Sequence, residues 1–278
     1  MAKVELRELQ LYMLDILKEI DRICTKHDIP YFAAYGTCLG AVRHKGFIPW
    51  DDDIDLHMYA DDYMRFLEVC KTELGEKYYL QNHFEDAKSY IFWYQFGVKN
   101  STSINMSMSH IHKPWGICVD IFPLFPYTKN PAIQKKLKKY YKFMTLLSLK
   151  YYHVGTLKTA KGIEKIKKMV HLLIPDKISC ALFRHFFKKL CDTKGMDPSC
   201  ITTHSPGLPE GAYFEKEWFD KKIELDFEDM KLPCPSGYDS YLRMYYKDYM
   251  QIPKDKTKHS DDPNVVISFD ECYENYWN

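Results

Sequence analysis

The chain opens on a strongly patterned segment. Across residues 4–28, Leu6, Leu9, Met13, Leu17, Ile20 and Cys24 recur at three- and four-residue spacing, which predicts an amphipathic helix with that stripe buried. Ile29-Pro30 ends the pattern, because proline lacks the N–H a further turn needs. Residues 31–34 read as a short apolar strand. Gly36-Thr37 opens a second helix that runs through Arg43, with Thr37 in the cap region. Residues 45–52, which contain Pro49, form a loop; 54–58 form a strand and 61–74 a helix. Alternation predicts strands over 77–82, 90–98 and 102–107, and 116–122 adds another. The first 125 residues are therefore expected to be α/β, with a small mixed sheet flanked by helices.

The pattern changes after Pro126. Between residues 129 and 194, 17 Lys or Arg stand against three acids, Glu164, Asp176 and Asp192, a local excess of fourteen positive charges in a chain whose net charge is +1. Ile163, Ile166, Met169, Val170 and Leu173 interleave at helical spacing, so the segment reads as helical with a basic face. That face is either solvated or a docking surface for anionic lipid or a polyanionic acceptor. No base-reading motif accompanies the charge, which ranks nucleic acid last. After Gly195 the chain reads as loop-rich and acidic. Order returns over 223–227 and in a helix near 238–246.

Composition narrows the class. Of the 278 residues, 46% are apolar and 28% charged, values that exclude a largely disordered chain. No run approaches the roughly 18 apolar residues that a bilayer span requires, and the opening residues lack the apolar core of a secretory signal. A soluble, cytosolic protein is expected, with peripheral contact at the inner membrane face as the one route to lipid. The nine cysteines are odd in number and contain no Cys-x-x-Cys pair, so reduced thiols are expected. Cys180, His185, Cys191, Cys200 and His204 match no ordinary structural zinc spacing. Walker and nucleophile-elbow motifs are absent from the sequence.

The candidate chemistry lies in Tyr35-Gly36-Thr37 followed by Trp50-Asp51-Asp52-Asp53-Ile54-Asp55-Leu56. A strand, a small-residue turn and a helix start can present backbone N–H groups to a phosphate. Asp53 and Asp55, two apart on an expected strand, leave from one face. Two carboxylates beside a phosphate cradle suit Mg²⁺, which takes hard oxygen ligands. Asp120, ending the apolar run Ile117-Cys118-Val119, supplies a third carboxylate, as metal ligand or general base. An isolated Asp-x-Asp is more often a capped turn or a pair of solvated acids. Three consecutive aspartates entering an apolar strand are harder to dismiss, because their repulsion demands a counter-ion. Arg43, His44 and Lys45 either neutralise a diphosphate or stand as helix-end cations favoured by the dipole; their place between cradle and acids favours the first.

The run Gly36-Thr-Cys-Leu-Gly-Ala-Val-Arg-His-Lys-Gly-Phe-Ile-Pro-Trp-Asp-Asp-Asp-Ile-Asp55 closely resembles the signature of the LicD family, which includes the fukutin-related transferases. Further pieces follow in the family's order: Lys99 through Thr102, Gly116 through Pro123, Leu232 through Leu242, Tyr246 with Asp248-Tyr249-Met250, and Lys258-His259. The resemblance implies a nucleotidyltransferase-like fold with a helical, basic elaboration. It divides the chain into a catalytic core over 1–126, a basic helical insertion over 127–205, and a segment over 206–278 that completes the active-site domain. It also implies transfer of a phospho-alcohol from a CDP-linked donor to a hydroxyl of a glycan or lipid-linked glycan, releasing CMP. Bacterial members typically transfer phosphocholine to surface polysaccharides.

On this resemblance Asp53, Asp55 and Asp120 hold Mg²⁺ or Mn²⁺, and Asp120 accepts the hydroxyl proton. Gly36 and Thr37 approach the phosphates by backbone, Arg43 and His44 add positive charge, and Lys99 and His259 are carried over as ligand contacts. If the alcohol is choline, ring faces must recognise its trimethylammonium, and Trp50 and Trp115 are the first candidates, with Tyr90, Trp93 and Tyr94 nearby. The chain departs from the family at Phe125, where Asp is usual, and at Lys247, where Gly is usual; one proline, Pro253, stands for two. Two alternatives remain: the same acids serving attack on the α-phosphorus of an NTP with release of pyrophosphate, and a non-catalytic glycan- or membrane-binding module. The intact acids argue against the latter.

Overall fold

A computed structural model describes residues 4–157, 160–203, 212–254, 256 and 259–278, without the side chains of Lys167 and His259. His204 and Lys258 lie outside the described residues. The opening stripe forms α1 (Leu6–Lys26), with Leu9, Met13, Leu17, Ile20 and Cys24 all buried. β1 (Phe32–Ala33), α2 (Tyr35–His44), β2 (Asp55–Tyr59) and α3 (Ala60–Glu73) follow close to the predicted bounds, but Ala34 and not Thr37 is the N-cap of α2, and Asp53 precedes β2 instead of sharing the strand with Asp55. Next come β3 (Tyr78–Gln81), β4 (Tyr94–Val98) and β5 (Thr102–Asn105), then the long β6 (Cys118–Tyr127). β6 runs past the expected end at residue 122, through Pro123 and Pro126, and the register slips between Pro126 and Tyr127. A proline without a ladder N–H fits such an irregularity.

The basic segment is helical: α4 (Pro131–Ser148), α5 (Lys150–Thr156), α6 (Gly162–Leu172) and α7 (Asp176–Cys191). The stretch read as loop after Gly195 instead contains β7 (Asp197–Thr202) and β8 (Phe214–Glu215). β7 pairs with the far half of β6, so tertiary pairing orders a sequence that has little alternation of its own. A hairpin of β9 (Lys222–Phe227) and β10 (Met230–Pro235), α8 (Tyr238–Tyr246) and β11 (Val265–Ser268) complete the chain.

Among the described residues the main sheet runs β1-β2-β6-β4-β3, with β7 and β8 added through β6. β2 and β6 are parallel, and the remaining pairs are antiparallel. One face is apolar: Leu56, Met58, Val119, Ile121, Tyr94 and Phe96 are buried there, with Tyr94 stacked on Tyr63 and Phe96 against Phe66 of α3. α1 covers the same face beside α3. The opposite face starts with Asp55, Asp120 and Gln95 and continues through His57, Phe122 and Trp93. There Tyr241 of α8 bonds His57 Nε2 at 3.1 Å and receives the Tyr35 N–H at 3.0 Å. The sheet is thus covered on both sides, as a parallel pair requires.

Phe125, one of the departures from the family pattern, is buried in the core with its ring 5.1 Å from Phe187 of α7. Lys247, the other, closes α8 with φ 55° and ψ −108°, a conformation in which a Cβ is strained and glycine is not. Gly116 is the reverse case, since a Cβ there would stand 1.9 Å from the Val98 carbonyl oxygen. We therefore expect Lys247→Gly to stabilise the chain by about 1 kcal/mol. Gly116→Ala should destabilise it by about 3 kcal/mol, because backbone has to move. Urea denaturation midpoints of the two variants check both signs.

Candidate active site

The site is built by strand register. Asp55 of β2 pairs with Asp120 of β6, and Gln95 of β4 lies across from Asp120 on its other side. Paired residues on neighbouring strands project to the same face, so the two acids and the amide share one end of the sheet. The backbone here is held from three directions. The Asp55 N–H donates to Thr37 Oγ1 at 2.9 Å, the Ala34 N–H to the Asp55 carbonyl at 2.9 Å, and the Asp120 N–H to the Ile54 carbonyl at 2.9 Å. Gln95 Nε2 donates to Asp120 Oδ1 at 3.1 Å.

Crowding these acids out of water raises their affinity for protons. Burial, then repulsion from Asp53, Asp120 and Asp51, pushes Asp55 well above the usual carboxylate range. Burial followed by the charges of Asp53 and Asp52 raises Asp51 to about 8. Asp120 is raised to about 6, again mainly by burial, with the Gln95 hydrogen bond pulling it down. Arg43 and Lys113 offset only part of this charge, and such a group of hard oxygen donors fits a Mg²⁺ or Mn²⁺ ion in chemical kind. The carboxylates are not preassembled: among the described residues no three His, Cys, Asp or Glu side chains stand arranged to hold a metal ion. The same holds for Cys180, His185, Cys191 and Cys200.

A cavity of about 660 Å³ opens onto this end of the sheet, and Asp53, Gln95 and Asp120 line it together with Tyr90, Lys113 and Trp115. Asp55 stands behind the lining. Lys113 is the residue that sequence reasoning missed. It is 1% exposed, and its Nζ donates to Gln95 Oε1 at 2.8 Å and to the Pro114 carbonyl at 3.1 Å. The same ammonium sits 4.0 Å from the centre of the Trp115 ring and 5.5 Å from that of Tyr90. Burial lowers its pKa to about 8, with Asp120 among the groups pulling the other way. In His112-Lys113-Pro114-Trp115 the only sequence signal was a cation two residues from an aromatic. Trp115 and Tyr90, two of the aromatics expected to receive a ligand's cation, already hold one of the chain's own.

The other predicted residues do not line this cavity. Thr37 is buried and its hydroxyl is engaged by Asp55. At Gly36 a Cβ would lie 2.7 Å from Asp51 Oδ2, so the first turn of α2 faces a carboxyl of the acid run. Arg43 Nη1 donates to the Tyr249 carbonyl at 2.6 Å, its Nε bonds His44 Nε2 at 2.9 Å, and His44 packs edge-on to Trp50. Trp50 carries Lys256 Nζ at 4.7 Å and the Arg43 guanidinium at 5.9 Å from its ring centre. Tyr94 belongs to the core beneath the sheet, and Trp93 packs on Phe122 at 4.9 Å. Lys99 is exposed at the turn after β4, its backbone bonded to Lys77. The backbone of His259 begins a 3-10 turn, His259–Asp261, that is moored to the acid run where the Ser260 N–H meets Asp52 Oδ2 at 2.6 Å.

A mixed sheet whose parallel pair presents acids beside a cavity suits a nucleotidyltransferase-type domain. The family described as LicD/FKTN/FKRP, nucleotidyltransferase domain, matches residues 28–158. Lipopolysaccharide cholinephosphotransferase LicD of Haemophilus influenzae is 30% identical over 263 residues, 92% of this chain and 95% of that protein. Two uncharacterized proteins, RT0683 of Rickettsia typhi and RP689 of Rickettsia prowazekii, are 42% and 40% identical over 65 and 63 residues, 23% of this chain in each case and 20% and 23% of theirs. The chain belongs to the LicD family.

The Lys113–Gln95–Asp120 chain fixes which end of the Gln95 amide faces the acid, and this yields a stability test. Lys113→Met and Gln95→Leu should each destabilise the fold. Their double-mutant cycle should show a coupling of about 1 kcal/mol, the worth of one buried hydrogen bond. Additive urea denaturation energies would show that the two side chains act separately.

Proposed function

We propose that this chain transfers phosphocholine from CDP-choline to a hydroxyl of a cell-surface glycan or its lipid-linked precursor, releasing CMP. The observation that carries the reading is the register of Asp55 beside Asp120, with Asp53 at the cavity wall, in a member of the LicD family. The choice of choline rests on the Haemophilus relative, a lipopolysaccharide cholinephosphotransferase by name. Asp53, Asp55 and Asp120 are the residues that would hold a divalent cation, which when bound screens the charge of a diphosphate. The acceptor oxygen forms a bond to the choline-bearing phosphorus as the bond from that phosphorus to the CMP oxygen breaks. CMP leaves with the electron pair, and the hydroxyl proton passes to Asp120. Burial raises the Asp120 carboxyl only to about 6, so it is ionised near neutral pH and open to a proton or a cation.

Gln95 orients Asp120 through its amide, and Lys113 orients Gln95. Lys113 also brings positive charge to the wall that a diphosphate would approach. The moored 259–261 turn borders the same cavity. With Trp115 and Trp50 both carrying ammonium groups of the chain, a bound trimethylammonium uses their remaining surface or displaces a lysine.

Incubation with CDP-choline, CDP-ethanolamine, CDP-glycerol, CDP-ribitol or CTP, with CMP and pyrophosphate measured separately, tests the reaction and its donor. CMP release is expected to be fastest with CDP-choline; pyrophosphate from CTP would overturn the reading in favour of nucleotidyl transfer. Asp53→Asn, Asp55→Asn and Asp120→Asn should each lower turnover by at least about 100-fold with the fold intact. EDTA should abolish CMP release and Mg²⁺ or Mn²⁺ restore it. Full turnover in EDTA would remove the metal from the mechanism.

A further inference from the structure

An amphipathic helix in a globular protein normally turns its apolar face inward. α6 does the opposite. Ile163, Ile166, Met169, Val170 and Leu173 are 72, 61, 51, 59 and 79% exposed. The side that packs onto α5 is polar. His171 is buried with its Nδ1 3.1 Å from His153 Nδ1, and Lys168 Nζ donates to Thr156 Oγ1 at 3.0 Å and pairs with Glu164 at 2.8 Å. The basic segment exposes further apolar side chains on α7 and α4. Ile178 and Leu182, one turn apart on α7, are 50 and 38% exposed, and Phe143 of α4, 50% exposed, stacks on Phe186 a further turn along.

Cations edge this surface. Lys161 and Lys165, one turn apart, run along one side of the α6 arc, and both are exposed; Lys142 adjoins Phe143 and Lys177 adjoins Ile178. Of the three acids in the segment, Glu164 is engaged by Lys168 and Asp176 by Lys150. An apolar strip bordered by lysines matches the headgroup boundary of an anionic bilayer, which takes up apolar side chains at shallow depth and attracts the surrounding charge. A second copy of the chain is a poor match, because a two-fold contact through this face would oppose two cationic surfaces. Among the described residues no helix is long and apolar enough to cross a membrane, so the contact lies in the plane of the surface.

We infer that the outward face of α6 docks this protein onto an anionic lipid bilayer. The docked insertion is tied to the cavity wall. The Gly155 N–H of α5 donates to His110 Nε2 at 3.1 Å, and Tyr151 packs against the cluster containing Trp115. Docking therefore acts on a segment that packs against the cluster containing Trp115, and it does not depend on which reaction takes place at the cavity.

Flotation of the full chain with vesicles of phosphatidylcholine, alone or mixed with phosphatidylglycerol, tests the inference. The chain should float with the mixed vesicles and be released as salt rises from about 0.05 to about 0.5 M, as screening shortens. Lys161→Gln and Lys165→Gln should each weaken the partition about fivefold. Ile166→Asp with Val170→Asp should weaken it by about a hundredfold, with the far-UV spectrum and thermal midpoint unchanged because both side chains are exposed. Equal flotation with phosphatidylcholine alone, flotation with neither, or full binding by the Asp pair would overturn it. So would a dimer in light scattering that the Asp pair dissolves.

Discussion

The parallel pairing of β2 with β6 is the constraint on which the site depends. It places Asp55 against Asp120 in a single register, and a slip of one residue would turn each side chain to the other face of the sheet. Paired residues on adjacent strands lie about 5 Å apart, where two ionised carboxylates repel by on the order of 3 kcal/mol at an effective dielectric of about 20. No local preference of these segments would choose that arrangement. It is imposed by the other face of the same strands, where Leu56, Met58, Val119 and Ile121 are buried against α1 and α3. The apolar side fixes the register, and the acids accept its consequence by holding protons or a cation.

The cavity wall answers part of that charge from within the chain. Lys113 is almost fully buried, and its ammonium is satisfied by an amide oxygen, a carbonyl and two ring faces. A buried cation so held can remain charged where an unpaired one would not. Its bond to Gln95 in turn commits that amide to donate toward Asp120, so one side chain joins the aromatic wall to the acids. The C-terminal turn is moored to Asp52, which brings residues far apart in sequence to the rim of one cavity.

The basic helices follow a different rule. They fasten to the sheet through buried residues such as Phe183 and Phe187 of α7, while α6 fastens through His171 and Lys168 and leaves its apolar side outward. Hydrophobic patterning alone would have turned α6 over, because the usual partner for such a stripe is the protein's own core. Here polar anchors on one side and lysines along the apolar edge reverse the assignment.

By itself the sequence determined a good deal: the opening helix, the strands bearing the acids, the α/β class and, through the long run from Gly36 to Asp55, the family. These features are local, written in three-and-four or two-residue periods and in one contiguous motif, so no knowledge of distant contacts was needed. The tertiary structure alone decided the rest. β7 forms because β6 offers it an edge, although its own residues alternate weakly. Lys113 reaches the site because a loop brings it under Gln95. Trp115 and Trp50 hold the chain's own cations, which no spacing in the sequence could show. Which face of an amphipathic helix meets the core, and which ring meets which charge, are set by what lies opposite in space, and opposition in space is the one relation that linear order does not carry.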